Sequence, residues 1–229
     1  MSVDPNFASI AALIGEPTRA AFLGALLGGK AHTASELAHL AGVTAQTASM
    51  HLARLLEGNL VKVSASGRHR YYELASPQVA HVLETLATIA PPARIASLRE
   101  SERARAMRFA RTCYDHLAGR VGVALNDRLV ERGFLTVEGE HWQISATGER
   151  WLKSCGVDLA AWQKGRRAAA RPCLDWSERR YHLAGAAGAA ITHWLFNAGW
   201  ITRIGSSRAV QLTPKGRVGF QQEWDLSFD

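Results

Sequence analysis

The chain has 229 residues, 47% apolar and 21% charged. That is the composition of an ordinary globular protein, with length enough for two domains. No secretory leader and no membrane-length apolar run is read in it, which leaves exported and membrane classes out of the expectation. A net charge of +7 and a pI near 9.8 favour an anionic partner, and an odd count of three cysteines points to a reducing cytoplasm rather than a disulfide framework.

The first strong pattern runs from residue 33 to residue 74. Thr33 is a helix cap with Glu36 three residues on, the spacing of a capping box. Leu37, Leu40 and Ala41 recur at helical spacing, and Gly42 can close that helix in the left-handed conformation. Thr44 caps a second helix, whose apolar face is Ala48, Leu52, Leu55 and Leu56. Thr44, Gln46, Thr47, Ser49, Met50 and Arg54 are left facing outward near its start, where recognition helices carry base-reading side chains. Leu60, Val61 and Val63 open a strand, and Tyr71, Tyr72 and Leu74 close another. Between them the segment 64–70, with Arg68, His69 and Arg70, reads as a wing tip suited to phosphate or minor-groove contact. Helix, turn, helix, hairpin is the order of a winged helix-turn-helix.

These residues carry a family resemblance. Glu16-Pro17-Thr18-Arg19 before a helix, Ser49-x-His51-Leu52 in the recognition helix, Leu60-Val61 after it, and Gly67-Arg68 before Tyr71-Tyr72 are similar to the ArsR/SmtB repressors over about residues 5–90. The resemblance implies a homodimer on double-stranded operator DNA, with amphipathic segments Asn6 to Leu13 and Val79 to Ile89 at the interface. It also marks departures. The helix at 34–41 has no cysteine, and the helix after the wing offers only His81 and Glu84, so the family's two best-known metal sites are absent or incomplete.

Residues 91–112 hold six arginines (94, 99, 103, 105, 108 and 111) against two glutamates, whereas residues 1–90 are formally neutral. Pro91-Pro92 ends the preceding helix. The arginines then decorate a helix, either as a solvated face or as a flank touching DNA backbone.

Beyond this connector the chain repeats itself. The segment 114–136 aligns with 180–202 at an offset of 66, matching His116-Leu117-Ala118-Gly119 to His182-Leu183-Ala184-Gly185. Each unit reads as a helix rich in small residues, a Gly-ended turn, a hairpin and a further helix start. Such duplicated units pack about a pseudo-twofold axis. The Ala/Gly faces favour close packing of the two repeat helices, with a ligand-pocket wall as the minor reading. The expected architecture is α+β, mainly helical with small hairpins. It comprises a winged domain at 1–92, a connector at 93–112, and a duplicated effector-sensing domain at 113–229 with repeats at about 113–155 and 173–222.

All seven tryptophans lie beyond residue 140 and all three cysteines beyond residue 112. Each repeat is preceded by Cys-x-Asp: Cys113, Asp115 and His116 in the first, Cys173, Asp175 and His182 in the second, where six residues intervene. If the repeats face one another, two thiols, two carboxylates and two imidazoles converge. They would hold a thiophilic or divalent metal ion, or form a redox pair activated by the arginines at 111, 171, 179 and 180. Against this stands a plain structural reading, in which the aspartates cap helices and the cysteines fill core. Cys155 has no repeat partner. No phosphate loop, nucleophile elbow or His-Glu-x-x-His is present, so no enzyme is expected. The expected function is an ArsR-type repressor, released from DNA by an effector sensed in the second domain. A metal, arsenical or oxidant leads; a small organic ligand in a Trp-lined pocket, or a thiol-dependent enzyme fused to a DNA-binding domain, are the alternatives.

Overall fold

The computed structural model describes residues 5–91, 97–163 and 167–228. The chain divides into two compact units, residues 1–84 and 85–229. Arg94 and Pro92 of the connector lie outside the described residues.

The first unit is built from helices α1 (Phe7–Ile14) and α2 (Pro17–Leu26), the short strand β1 (His32–Thr33), helices α3 (Ala34–Ala41) and α4 (Ala45–Glu57), and strands β2 (Val61–Ser66) and β3 (His69–Leu74). Helix α5 (Pro77–Ile89) follows the wing. The caps form as the sequence dictates. Thr33 and Glu36 close a capping box, Gly42 ends α3 at φ 67°, and the Thr44 side chain accepts from Thr47 N. Leu37, Leu52 and Leu55 are buried beside Phe22, Leu23 and Leu26, so the apolar stripes of α2, α3 and α4 meet in one core. The strands pair antiparallel in the order β1-β3-β2, with Val61 opposite Leu74 and Ser66 opposite His69. The wing is therefore tighter than its sequence reads. Pairing continues to the end, leaving Gly67 and Arg68 as the tip, because Gly67 at φ 58° permits a two-residue turn.

The second unit starts with α6 (Leu98–Phe109) and then runs twice through one order of elements. First come β4 (Arg111–Cys113), β5 (His116–Ala118), α7 (Gly119–Glu131), β6 (Leu135–Glu138), β7 (His141–Ile144) and α8 (Ala146–Ser154). After the short α9 (Leu159–Trp162) come β8 (Arg171–Leu174), β9 (Tyr181–Ala184), α10 (Gly185–Asn197), β10 (Ile201–Arg203), β11 (Val210–Leu212) and α11 (Pro214–Trp224). Each hairpin is its own two-stranded sheet.

The packing crosses between the repeats. Helix α7 lies on β9 and α10 lies on β5, while β5 and β9 touch directly. The glycines on the faces of the two repeat helices also fit each helix to its own hairpin. A Cβ on Gly122 would strike the Leu117 carbonyl, and one on Gly188 the Leu183 carbonyl, so each helix folds back against the strand that feeds it. The junction residues Gly119 and Gly185 have φ of 79° and 86°, and a side chain there would meet the carbonyls of Arg108 and Ala168 within 3 Å.

Six tryptophans build the core of this unit. Trp142, Trp200 and Trp224 are buried in it, and Trp151, Trp162 and Trp194 pack against it. Ring contacts chain them together: Trp151 to Trp224 at 4.9 Å and Trp194 to Trp200 at 5.0 Å. The seventh, Trp176, lies 4.3 Å from the guanidinium carbon of Arg111.

Candidate functional site

In the first unit, the outward face of α4 and the wing form one candidate surface. Gln46, Met50, Arg54, Arg68, His69 and Arg70 are exposed. Thr44 and Ser49 are exposed too, but their hydroxyls are engaged locally, Thr44 with Thr47 at 2.9 Å and Ser49 with the Ala45 carbonyl at 2.9 Å. Thr47, half-buried, shares that capping contact.

The motif residues at 16–19 and His51 form a strut beneath this surface. Glu16 caps α2, accepting from Thr18 N and from Arg19 N at 2.8 Å. Its carboxylate also stands 3.3 Å from His51 Nδ1 on α4. Burial would raise the Glu16 carboxyl, but the amides of Arg19 and Thr18 and the His51 ring hold it below the usual carboxylate range. Buried Arg19 donates to the carbonyls of Leu13 and Ala12 and approaches His51. The recognition helix is thus braced against α1 and α2.

In the second unit the two Cys-x-Asp segments converge. In the first hairpin Cys113 stands directly opposite His116 across a two-residue turn, with Tyr114 at φ 58°. In the second, Cys173 stands directly opposite His182. The six extra residues lengthen the hairpin: Leu174 pairs with Tyr181 as one more rung, and residues 175–180 form the loop beyond that pair. Directly opposed residues in an antiparallel pair project to the same face. Each hairpin therefore presents one thiol and one imidazole together, and the contact of β5 with β9 brings the two presentations to one point.

The resulting cluster is buried. Cys113 Sγ lies 3.8 Å from Cys173 Sγ, well beyond the S–S bond length. His116 Nε2 lies 3.1 Å from His182 Nε2, with the rings stacked at 5.0 Å. One donor atom from each of the four residues lies within 4.8 Å of every other.

The aspartates stand behind the imidazoles rather than in the cluster. Asp115 Oδ1 is 3.3 Å from His116 Nδ1, and Asp175 Oδ2 is 3.5 Å from His182 Nδ1. Asp115 is held by Arg167 at 2.6 Å. Asp175, fully buried, accepts from Arg111 at 3.0 Å, from the Gly119 amide at 2.6 Å, and from Ser177 and Glu178. One helix-capping role expected of the aspartates thus appears across the repeats: Asp175 bonds the first amide of α7, whose own N-cap Ala118 has no side-chain bond.

Electrostatics follow from this packing. Burial would lower the His116 pKa, but hydrogen bonds to Asp115 and Cys173 outweigh it and raise the pKa to about 9. The Cys173 thiol is driven far below its ordinary value, first by its hydrogen bond to Cys113 and then by both imidazoles, against burial. Burial would raise Asp175, but Arg111, Ser177 and Gly119 hold it down at about 2.

One residue differs from its sequence reading, and one was not singled out in the sequence. Arg111 belongs neither to an exposed arginine face nor to the thiols: it is fully buried and bonded to Asp175, Ser177 and the Met107 carbonyl. Strand parity carried the signal, since Arg111 and Cys113 are two apart in β4 and share a face. Arg167, which orients Asp115, has no comparable signal. Arg99, Arg103, Arg105 and Arg108 are exposed on or at the start of α6. Cys155, at the end of α8, packs against the tryptophan core outside the cluster.

A helix-turn-helix domain model matches residues 14–64, which contain α2, α3, α4 and the strut. The uncharacterized HTH-type transcriptional regulator YdfF of Bacillus subtilis (strain 168) is 43% identical over 224 residues, covering 98% of this chain and 99% of that one. The chain belongs to this family of HTH-type transcriptional regulators. Among solved structures, NolR from Sinorhizobium fredii is 24% identical, with a TM-score of 0.36, covering 41% of this regulator and 99% of that chain. The cadmium metal-sensor CMTR from Mycobacterium tuberculosis is 28% identical, with a TM-score of 0.32, covering 40% and 99%. Among the described residues of the regulator, no helix is long and apolar enough to cross a membrane.

Proposed function

We propose that this regulator is an ArsR-type cytoplasmic repressor. It binds operator DNA as a homodimer and is released by a thiol-reactive signal received at Cys113, His116, Cys173 and His182. The observation that carries the reading is the convergence of one cysteine and one histidine from each repeat at a single buried point. Burial favours an ion or an oxidant over a substrate-sized molecule, which sets the reading apart from a thiol-dependent enzyme. Homodimer formation is supported by large apolar side chains left exposed on α1 and α5, namely Phe7, Val82, Leu86 and Ile89. Phe7→Glu with Leu86→Glu is expected to shift sedimentation from dimer to monomer.

The deciding experiment is operator release by candidate signals, followed by mobility shift. The Cys113→Ser/Cys173→Ser variant is expected to bind the operator and resist release, while Cys155→Ser is expected to respond as the parent does. Normal release of the double variant by the inducing signal would reject the reading.

A further inference from the structure

We infer that Cys113, His116, Cys173 and His182 bind one divalent, four-coordinate transition-metal ion of the zinc class, through both Sγ and both Nε2 atoms. This rests on the proposal that the cluster receives the signal, and it names the ligand.

The spacing fits that ion. A tetrahedral centre with metal–sulfur bonds of about 2.3 Å sets its two sulfurs about 3.8 Å apart. The two sulfurs here are 3.8 Å apart. With metal–nitrogen bonds of about 2.0–2.1 Å the two nitrogens stand about 3.3 Å apart. The imidazole Nε2 atoms are separated by 3.1 Å. The sulfur–nitrogen separations lie within 4.8 Å, against about 3.6 Å in such a centre, so the two hairpins close by up to about 1 Å on binding.

The outer surroundings fit as well. Both Nδ1 atoms face aspartates, so both Nε2 atoms turn inward. The Asp115 bond to His116 Nδ1 fixes that ring's tautomer and raises its basicity, while Asp175 stands 3.5 Å from His182 Nδ1 without a hydrogen bond. The aspartates are fixed in turn, Asp115 by Arg167 and Asp175 by Arg111 and the Gly119 amide.

Charge selects the valence. Arg111 balances the buried Asp175 and Arg167 the half-buried Asp115, and two thiolates balance a divalent ion, so the cluster with its carboxylates closes at neutrality. A monovalent ion would leave an uncompensated negative charge in a site with a large desolvation penalty. Magnesium and calcium take oxygen donors, whereas a tetrahedral pair of sulfurs and nitrogens suits zinc. Trivalent arsenic binds three thiolates, and the cluster supplies two, with Cys155 elsewhere. Four protein donors leave no open coordination position, so the ion ties the repeats together rather than activating a substrate.

The test uses the full-length chain, stripped of metal under reducing conditions and titrated with Co(II). One Co(II) per chain is expected, with the intense d–d bands of a tetrahedral centre and thiolate-to-metal charge transfer, all displaced by Zn(II). A weak octahedral spectrum, or the same spectrum from Cys113→Ser/Cys173→Ser, would overturn the inference. Asp115→Asn is expected to keep the tetrahedral spectrum and weaken binding about 10–100-fold. Undiminished affinity in that variant would overturn the role given to Asp115. Operator binding measured on the same samples separates the two claims. Tetrahedral binding with unchanged operator affinity upholds the site and rejects its role in sensing. Thiol-dependent release by peroxide, with no tetrahedral ion bound, does the reverse.

Discussion

His116 Nε2 lies 3.1 Å from His182 Nε2, and the other nitrogen of each ring faces the aspartate of its own repeat. Two ring nitrogens meet favourably at this distance with a proton between them. A metal ion entering the cluster takes that proton's place, so metal uptake and proton release are coupled.

The first prediction concerns this coupling. With its pKa raised to about 9, His116 is protonated at neutral pH in the metal-free chain. Each bound ion is expected to release at least one proton at pH 7, and apparent affinity should climb as pH rises toward 9. Calorimetry in buffers of different ionisation enthalpy measures the release. The sign for the metal-free fold is opposite. A pKa raised on folding stabilises fully below the ordinary histidine value of 6.5 and is lost as pH rises through about 9. The depressed Cys173 thiol acts with the opposite sign over the same range, so metal-free protein should lose less denaturant resistance there than His116 alone would give.

The second prediction concerns Arg111. Its pair with Asp175 is fully buried on both sides. Removing one member leaves an uncompensated charge, at a cost of about 3–5 kcal/mol. Arg111→Met is expected to destabilise the second unit by that amount in urea unfolding. Arg99→Met, on an exposed position, should stay within about 0.5 kcal/mol of the parent. Equal stabilities for the two variants would contradict the assignment. Asp175 contributes its share above the ordinary carboxylate range and loses it only as pH falls through about 2.

The winged unit was legible because each of its signals is local. Thr33 with Glu36, Gly42 and Thr44 set helix ends within a few residues, and the buried leucines of α3 and α4 repeat at helical spacing. The tip at Gly67 looks wider in the sequence than it is, because strand pairing from Ser64 to Ser66 uses polar and small side chains with no apolar alternation. In the second unit the duplicated Cys-x-Asp marked residues that the fold brings together, since duplication places equivalent residues symmetrically. What the spacing could not show was rank. Asp115 and Asp175 look like ligands beside cysteine and histidine, and only the register of Cys113 with His116, and of Cys173 with His182, sets them behind the rings. Arg111 was hidden by its neighbours: five other arginines within 18 residues made it look like one more charge on a solvated helix.

The third prediction tests the strut. Glu16 caps α2 and stands against His51 beneath the recognition helix. Loss of an N-cap costs about 1 kcal/mol. Glu16→Ala is expected to lower stability by that amount or more and to weaken operator binding, although residue 16 is remote from the proposed DNA-reading face of α4. Glu16 also gives acid sensitivity of definite sign: its contribution is present above the ordinary carboxylate range and lost as pH falls through its depressed value. An Ala variant whose stability and operator affinity match the parent's would show the strut to be idle.

The fourth prediction separates positioning from reading at the DNA surface. Arg68 at the wing tip and Arg70 on β3 are exposed and carry the wing's positive charge beside His69. Contacts from such side chains to phosphate release condensed counterions, so each lost contact flattens the dependence of affinity on salt by about one unit of log–log slope. Arg68→Ala and Arg70→Ala are therefore expected to weaken binding to every sequence alike, with shallower salt dependence. Gln46 differs. It is exposed in the first turn of α4, and its amide suits bidentate pairing with an adenine edge. Gln46→Ala is expected to cost about 1–3 kcal/mol on the operator and almost nothing on unrelated DNA, with the salt slope unchanged. Fluorescence anisotropy on both DNAs across a salt series reads all of these quantities. If Gln46→Ala weakens both DNAs equally, or the wing variants alter discrimination without altering slope, the two roles have been assigned to the wrong elements.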